Sequence, residues 1–215
     1  MEPNIRNIAV LTSGGDAPGM NAALRAVVRT ASYYNIECYG VREGYNGLIH
    51  DDFTKMGPRS VNNIVNKGGT ILKSARSKEF MTPEGRKKAY DNLVKEGIDA
   101  FVVIGGDGSF TGALVFNREF NFPVIGIPGT IDNDIFGTSH TLGFDTSLNT
   151  VVEAIDKIRD TASSHNRLLF VEVKLVQASK KQGARPKAPS FFLQLVHSLS
   201  GVPYQKKNTG HQLAS

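Results

Sequence analysis

The chain alternates short apolar runs with segments in which apolar residues recur every three or four positions. The short runs predict β-strands: "NIAVLT", "IECYGV", "IDAFVVIG", "FPVIGIPG" and "RLLFVEV". The periodic segments predict amphipathic helices: "GMNAALRAVVRTASYY", "EGRKKAYDNLVKEG", "FTGALVFNREF" and "DTSLNTVVEAIDKIRDTASS". A further short helix is predicted at "SVNNIV". Strands that alternate with helices indicate an α/β fold in which helices cover both faces of a mostly parallel sheet, a three-layer αβα architecture.

Three unusual segments directly follow predicted strands. They are "TSGGDAPG", "GGDGS" and "PGTIDND". Sheets of this kind bind their ligands beyond the carboxyl ends of the strands. We therefore expect the three segments to converge on one edge of the sheet and to form the ligand site there.

Composition narrows the class of protein. With 40% hydrophobic residues among 215, the chain has enough apolar side chains for a sizeable core. The single cysteine, Cys38, excludes an internal disulfide, and a reducing, cytoplasmic location is expected. The chain opens with no secretory signal pattern, and its apolar runs are shorter than the roughly 20 residues of a membrane helix. No membrane partner is expected.

The net charge of +5 is unevenly distributed along the chain. Residues 174–215 hold seven of the 25 Lys and Arg and none of the 20 Asp and Glu, which leaves residues 1–173 at −2. A basic arm of this kind can bind nucleic acid. Here the basic residues form no repeated motif and have few aromatic neighbours, so a nucleic-acid partner is not expected.

Two glycine loops are candidates for phosphate contact. Gly14 and Gly15 place backbone amides next to a predicted helix start, where an anion is favoured; a tight turn without a ligand is the alternative. Three glycines surround Asp107 in "GGDGS". An isolated carboxylate beside phosphate suits magnesium, which takes one or two carboxylates together with phosphate oxygens. The alternative is that Asp107 caps a helix beginning near Ser109.

Two further segments carry charges that suit phosphoryl transfer. Arg76, in "GGTILKSAR", could clamp a phosphate through paired hydrogen bonds, although a solvated surface arginine is the simpler reading. Asp132 and Asp134 lie two apart in "GTIDND", so on extended backbone their side chains share one side. One carboxylate could accept a proton from a hydroxyl while the other attends a cation. A turn rich in Asp and Asn is the alternative.

Five motifs together resemble the bacterial ATP-dependent 6-phosphofructokinase family over residues 5–173. The motifs are "LTSGGDAPGMNAALR", "GGTILKSAR", "VVIGGDGSFTGA", "IPGTIDNDIFGT" and "GFDTSLNTVVEAIDKIRDTASSHNR". The resemblance implies two α/β domains with the active site between them: a nucleotide-binding domain at 1–142 and the start of a sugar-phosphate domain at 143–173. It also implies the glycolytic phosphorylation of fructose 6-phosphate by ATP, with Mg²⁺ (magnesium), allosteric control and a homotetramer.

The resemblance assigns roles to individual residues. It places seven at ATP: Gly15, Arg76, Ser77, Gly106, Asp107, Gly108 and Ser109. Asp107 would also hold the magnesium, and Asp134 would lie near it. Four would contact the sugar phosphate: Thr130, Ile131, Asp132 and Arg167, the last reaching into a neighbouring subunit. Thr130 and Asp132 would be catalytic, with Asp132 as the base for the 1-hydroxyl. Three would bind the allosteric nucleotide: Arg25, Arg29 and Arg159.

Two glycines indicate which phosphoryl donor the chain prefers. Family members that use pyrophosphate carry Asp after the magnesium aspartate and Lys before the threonine of the base loop. This chain has Gly108 and Gly129 at those positions. Gly108 leaves room for the α-phosphate of ATP, which a carboxylate would repel, so ATP is the expected donor.

The resemblance ends abruptly at Lys174. The family continues with Met-Gly-Arg, a sugar-phosphate contact, where this chain has Lys174-Leu175-Val176. We expect 174–215 to be an unrelated, disordered basic tail, from a changed reading frame, a replaced end or a natural one. The alternative function is therefore a non-catalytic fragment that binds nucleotide or joins intact subunits, and a tetramer is doubtful. Other kinases with a GGDG loop fit less well, since they lack "PGTIDND" as a unit.

Overall fold

A single mixed sheet with helices on both faces organises the computed structural model, which describes residues 5–165 and 169–173. The strands are β1 (Asn7–Thr12), β2 (Glu37–Val41), β3 (Phe53–Met56), β4 (Ala100–Gly105), β5 (Val124–Thr130) and β6 (Leu142–Gly143). The helices are α1 (Met20–Tyr33), α2 (Tyr45–His50), α3 (Pro83–Lys95), α4 (Asp107–Phe120) and α5 (Phe144–His165), with a 3₁₀ turn at Glu79–Met81. None of the described helices is long and apolar enough to cross a membrane.

The six strands follow the order β3-β2-β1-β4-β5-β6. β1 pairs in parallel with β2 and with β4, β4 with β5, and β5 with β6. β3 runs antiparallel to β2 at one edge. The predicted mostly parallel sheet is therefore confirmed. The carboxyl ends of β1, β4 and β5, the three adjacent central strands, lie at the same edge.

Alternation along the central strands creates a hydrophobic core on each face of the sheet. Leu11 and Phe101 point to the face covered by α2, α3 and α4. Val10 and Ile104 point to the opposite face, covered by α1 and the 57–72 connection. Each of these four side chains has 0% exposure, and burying one contributes about 1.5–3 kcal/mol. The two cores confirm the three-layer architecture.

The predicted short helix at "SVNNIV" is wrong. Residues 58–66 form successive turns, and Asn63 has a positive φ of 55° that no right-handed helix accommodates. The helix-like spacing arose because Val61 and Ile64 are both buried in the α1-side core. A three-residue interval between buried positions is compatible with turns as well as with a helix.

The predicted strand "RLLFVEV" is also not found. Residues 167–168 lie outside the described residues, and 169–173 have no strand assignment. A strand exists through its hydrogen bonds to a neighbour, and among the described residues no strand pairs with this segment. Conversely, α2 and β3 were not predicted, since six and four residues are too few to show a period.

Candidate active site

The loops after β1 and β4 are hydrogen-bonded to each other at the carboxyl edge of the sheet. The Ser13 N–H donates to the Ile104 carbonyl at 3.0 Å, extending the β1–β4 ladder by one residue. The Ser109 hydroxyl donates to the Ser13 hydroxyl at 3.0 Å, and both side chains are buried. The first loop and the "GGDGS" loop therefore form one joined surface, as the sequence predicted.

Gly105 allows these loops to approach so closely. A methyl group on Gly105 would lie 2.6 Å from the Ser13 carbonyl oxygen, a separation that would force the strands apart. A methyl group on Gly106 would lie 3.6 Å from the Thr130 Cβ, within ordinary van der Waals contact. The end of β5 therefore lies beside the same loop. All three predicted segments thus meet at this edge.

Asp107 is the first residue of α4. The helix begins at Asp107 rather than near Ser109, and the residue at its N-cap is Gly106, so the alternative role of Asp107 as a cap is wrong. Asp107 and Gly108 are both exposed, and a methyl group on Gly108 would meet no atom within 4 Å. The first turn of α4 therefore presents free backbone N–H groups and one open carboxylate, an arrangement that favours an anion with its counter-cation.

The "GTIDND" loop is held in shape by its own polar groups. The Asp132 N–H donates to the Thr130 hydroxyl at 3.1 Å. The buried Thr141 hydroxyl lies 2.9 Å from the Thr130 carbonyl and 3.1 Å from the Asp132 carbonyl. The Asn133 side-chain carbonyl accepts the Thr141 N–H at 3.1 Å. These contacts hold the loop backbone around the Asp132 carboxylate, while Ile131 is 37% exposed.

The Asp134 carboxyl group lies in a partly buried, acidic environment. Burial raises its pKa above the usual carboxyl value, and the nearby charges of Asp132 and Asp107 raise it further. The Asp134 carboxyl is therefore partly buried and within electrostatic reach of two other acids. Among the described residues there is no cluster of three or more side chains arranged to hold a metal ion without help. The open Asp107 carboxylate nevertheless fits magnesium, because that ion takes few protein ligands when phosphate oxygens are present.

The segment that carries Arg76 is attached beside the first loop. The Thr12 hydroxyl, at the end of β1, lies 2.9 Å from the Thr70 hydroxyl and donates to the Lys73 carbonyl at 2.8 Å. Arg76 is exposed, and the Ser77 hydroxyl accepts the Phe80 N–H at 3.2 Å. The segment therefore adjoins the same edge of the sheet.

The arginines assigned to allosteric control lie on different elements. Arg25 and Arg29 are one turn apart on α1, and Arg25 Nη1 donates to the Val61 carbonyl at 2.8 Å. Arg159 lies on α5 and pairs with Asp156 at 3.2 Å. No hydrogen bond or ion pair between described residues joins Arg159 to α1. Arg167 lies outside the described residues.

Sequence reasoning missed several residues that shape this site. The Tyr45 hydroxyl donates to the Ser109 carbonyl at 2.5 Å, and its ring stacks on Phe80 with centroids 3.9 Å apart. Thr12, Ser13 and Thr141 were likewise not singled out. Polar residues at the end of an apolar strand, as in "LTSGG", signal contacts of this kind. Tyr45 and Thr141 offer no local signal, since the fold alone brings Tyr45 to Ser109 and a loop brings Thr141 back to Thr130.

The sheet order and the three joined loops define an α/β protein of the kind that binds ligands at the carboxyl ends of its strands. The family model described as Phosphofructokinase matches residues 7–174, and the chain belongs to this family.

The relatives agree with this assignment. An ATP-dependent 6-phosphofructokinase 2 of Bacteroides thetaiotaomicron is 60% identical over 169 residues, which are 79% of this chain and 52% of that protein. An ATP-dependent 6-phosphofructokinase of Macrococcus caseolyticus is 63% identical over 79% of this chain and 53% of that protein. The structure of phosphofructokinase from Saccharomyces cerevisiae superposes with a TM-score of 0.72 and 42% identity, covering 75% of this chain and 25% of that one. The chain spans about half the length of the curated relatives it matches.

Proposed function

We propose that this chain supplies the nucleotide-binding half of an ATP-dependent 6-phosphofructokinase. The reaction would transfer the γ-phosphoryl group of ATP to the 1-hydroxyl of fructose 6-phosphate. One observation supports the proposal most strongly. Three loops, which contain Gly15, Asp107 and Asp132, meet at one edge of the sheet. Two curated relatives with this activity in their names share about 60% of the residues over this region.

The proposed ATP contacts come from backbone more than from side chains. The first turn of α4 and the exposed Gly15 offer N–H groups, which bind phosphate without long flexible side chains. Arg76 and Ser77 would contact ATP from the neighbouring segment. The open space at Gly108 supports ATP rather than pyrophosphate as donor, because an α-phosphate with its nucleoside needs room there.

Asp132 is the proposed base. Its task is to accept a hydrogen bond from the sugar 1-hydroxyl, orient that oxygen toward the γ-phosphorus and take its proton as the bond forms. The backbone contacts through Thr130 and Thr141 support this role, because holding the reactants in place supplies much of the rate in phosphoryl transfer. Ile131 and Arg167 would complete the sugar-phosphate contacts.

Asp107 is the proposed ligand of Mg²⁺. Magnesium bound with ATP would neutralise phosphate charge during transfer. Burial and the charges of Asp132 and Asp107 raise the pKa of Asp134, and a cation held by Asp107 would favour the ionised form of this carboxyl. We also propose the family's allosteric nucleotide site at Arg25, Arg29 and Arg159 and a cytoplasmic location, and we assign the homotetramer to the whole enzyme rather than to this chain.

A chimeric enzyme tests the proposed reaction. Residues 7–173 of this chain replace the matching part of the Bacteroides thetaiotaomicron relative, and ADP release is measured with and without fructose 6-phosphate. We expect turnover that depends on the sugar phosphate and is lost in Asp132→Asn, which keeps the side chain's shape but removes the base. A folded chimera without turnover, or one in which Asp132→Asn is fully active, would contradict the proposal.

A further inference from the structure

Asn21 joins the first turn of α1 to the segment that leads to Arg76. The side chain is 1% exposed. Its amide nitrogen donates to the Lys67 carbonyl at 3.0 Å, and its carbonyl oxygen accepts the Ile71 N–H at 2.9 Å. One buried amide thus closes both ends of the short loop that contains Gly68, Gly69 and Thr70.

The segment that continues from the closed loop contains one residue in an unfavourable backbone conformation, Lys73. Gly69 has φ of 66°, and Lys73 has φ of 59°, in the left-handed region that a lysine rarely occupies. The Thr12 hydroxyl donates its proton to the Lys73 carbonyl, so the Thr70 hydroxyl must be the donor in the Thr12–Thr70 contact. Thr12 therefore holds the strained Lys73 through its carbonyl, while Asn21 holds the loop that precedes it.

The loop lies between the first glycine loop and Arg76. Thr12 directly precedes Ser13 and the two glycines, and a methyl group on Gly69 would lie 3.8 Å from the Asp16 carboxylate. From Lys73 the chain continues through only two residues to Arg76. Any change in the closure of the loop would shift Arg76 relative to the first loop.

We propose that Asn21 is a positioning residue: by closing the Lys67–Ile71 loop it sets Arg76 and the first glycine loop against the same nucleotide phosphates. The proposal rests on the proposed nucleotide site. Asn21 is buried and acts through the loop, without touching the nucleotide. Its two hydrogen bonds would be lost together in Asn21→Ala, leaving the Lys67 carbonyl and the Ile71 N–H without their partner.

A second asparagine provides a matched control. The Asn92 side-chain nitrogen donates to the carbonyls of Leu48 and Ile49 at 2.8 and 2.9 Å, on the opposite face of the sheet. Asn92→Ala therefore removes two similar hydrogen bonds without touching the Arg76 segment. Both substitutions are expected to lower the melting temperature.

The test compares nucleotide affinity of the full chain and both variants. We expect Asn21→Ala to raise the Kd for magnesium-ATP about tenfold, the effect of losing one or two hydrogen bonds, and Asn92→Ala to leave it unchanged. The ratio of ATP to AMP affinity should also fall in Asn21→Ala if, as we propose, Arg76 contacts phosphates of ATP that AMP lacks. A general loss of stability would not change that ratio. An unaltered Kd and ratio in folded Asn21→Ala would overturn the proposal.

Hydrogen exchange separates this proposal from the proposed function. Amides over 67–76 should exchange faster in Asn21→Ala and not in Asn92→Ala. If the unaltered chain binds no nucleotide, the proposed function fails, and the exchange result still decides whether Asn21 holds the loop. Unchanged exchange over 67–76 in Asn21→Ala would overturn the positioning role by itself.

Discussion

Gly108 is the residue on which the proposed preference for ATP depends. A side chain there would extend into open space beside Asp107, so the residue is not required for packing. We expect Gly108→Asp to fold normally, since an acid is favourable in the first turn of a helix. It should nevertheless weaken ATP binding about 100-fold or more, because like charges about 4 Å apart cost a few kcal/mol at a partly screened site.

The matched variant for this prediction is Gly108→Asn, which has nearly the same shape without the charge. Calorimetric titration with magnesium-ATP should give a much smaller loss for Asn than for Asp. Equal losses of ATP affinity would mean that a side chain at position 108 weakens binding by its size rather than by its charge.

The raised pKa of Asp134 predicts that the stability of the folded chain depends on pH. Its pKa is raised in the folded chain, so the folded state holds this proton more tightly than the unfolded state. Its ionisation therefore costs stability as pH rises from the ordinary carboxyl range through the raised pKa. Asp134→Asn removes that cost and should increase the free energy of unfolding at neutral pH, by less than about 1 kcal/mol because the group is only partly buried.

Urea unfolding of Asp134→Asn and the unaltered chain at several pH values measures this effect. The gain should shrink as pH falls below the ordinary carboxyl pKa, where Asp134 is protonated in both states. Asp160→Asn, at an exposed position of α5, is the control. A gain from Asp134→Asn that persists undiminished in acid would contradict the electrostatic explanation.

Among the elements, α3 and α4 are joined by an ion pair between Arg86 and Glu119, of which the arginine is buried. Arg86, 8% exposed, makes two hydrogen bonds to the Glu119 carboxylate and two more to the carbonyls of Phe80 and Met81. Arg86→Ala leaves these acceptors without a donor and should cost about 3 kcal/mol of unfolding free energy. Lys87→Ala removes an exposed pair with Asp91 and should cost less than about 0.5 kcal/mol. Denaturant unfolding measures the loss of unfolding free energy in both variants. Equal losses would contradict the explanation that the pair stabilises the fold because its arginine is buried.

The elements that could be predicted are those with enough residues to show a period or an apolar run. β1, β2, β4 and β5, with α1, α3, α4 and α5, follow the pattern of the sequence. The turns at 58–66 did not, because Val61 and Ile64 are buried by α1 and not by a helix of their own. α2 and β3 are fixed by tertiary contacts, such as the Asn92 amide that binds the α2 carbonyls.

For the whole molecule, the positions of the site loops in the sequence could be predicted, but the hydrogen bonds that join one loop to another could not. "GGDGS" and "GTIDND" follow strands, and parallel strands bring such loops to one edge. What the sequence does not reveal is the pairing of residues far apart in the chain, such as Ser13 with Ser109 or Asn21 with Lys67 and Ile71. These contacts depend on side chains that have many possible partners until the fold is formed.

The 215-residue chain, assayed alone, is expected to release ADP from ATP and fructose 6-phosphate at a negligible rate. It has Lys174-Leu175-Val176 where the family has the sugar-phosphate contact Met-Gly-Arg. Without that contact the sugar would seldom be held in line with ATP, and holding reactants together is worth about 7–11 kcal/mol. A coupled assay on protein free of host enzyme checks this; saturable turnover that disappears in Asp132→Asn would contradict it.

We propose that the joined loops form a site for magnesium-ATP. The most direct test is calorimetric titration of the folded chain with ATP, with and without magnesium, alongside Asp107→Asn. We expect binding that requires magnesium and is strongly weakened in Asp107→Asn, while the variant keeps the stability of the unaltered chain. A folded chain that binds no ATP, or an Asp107→Asn variant with equal affinity, would contradict it.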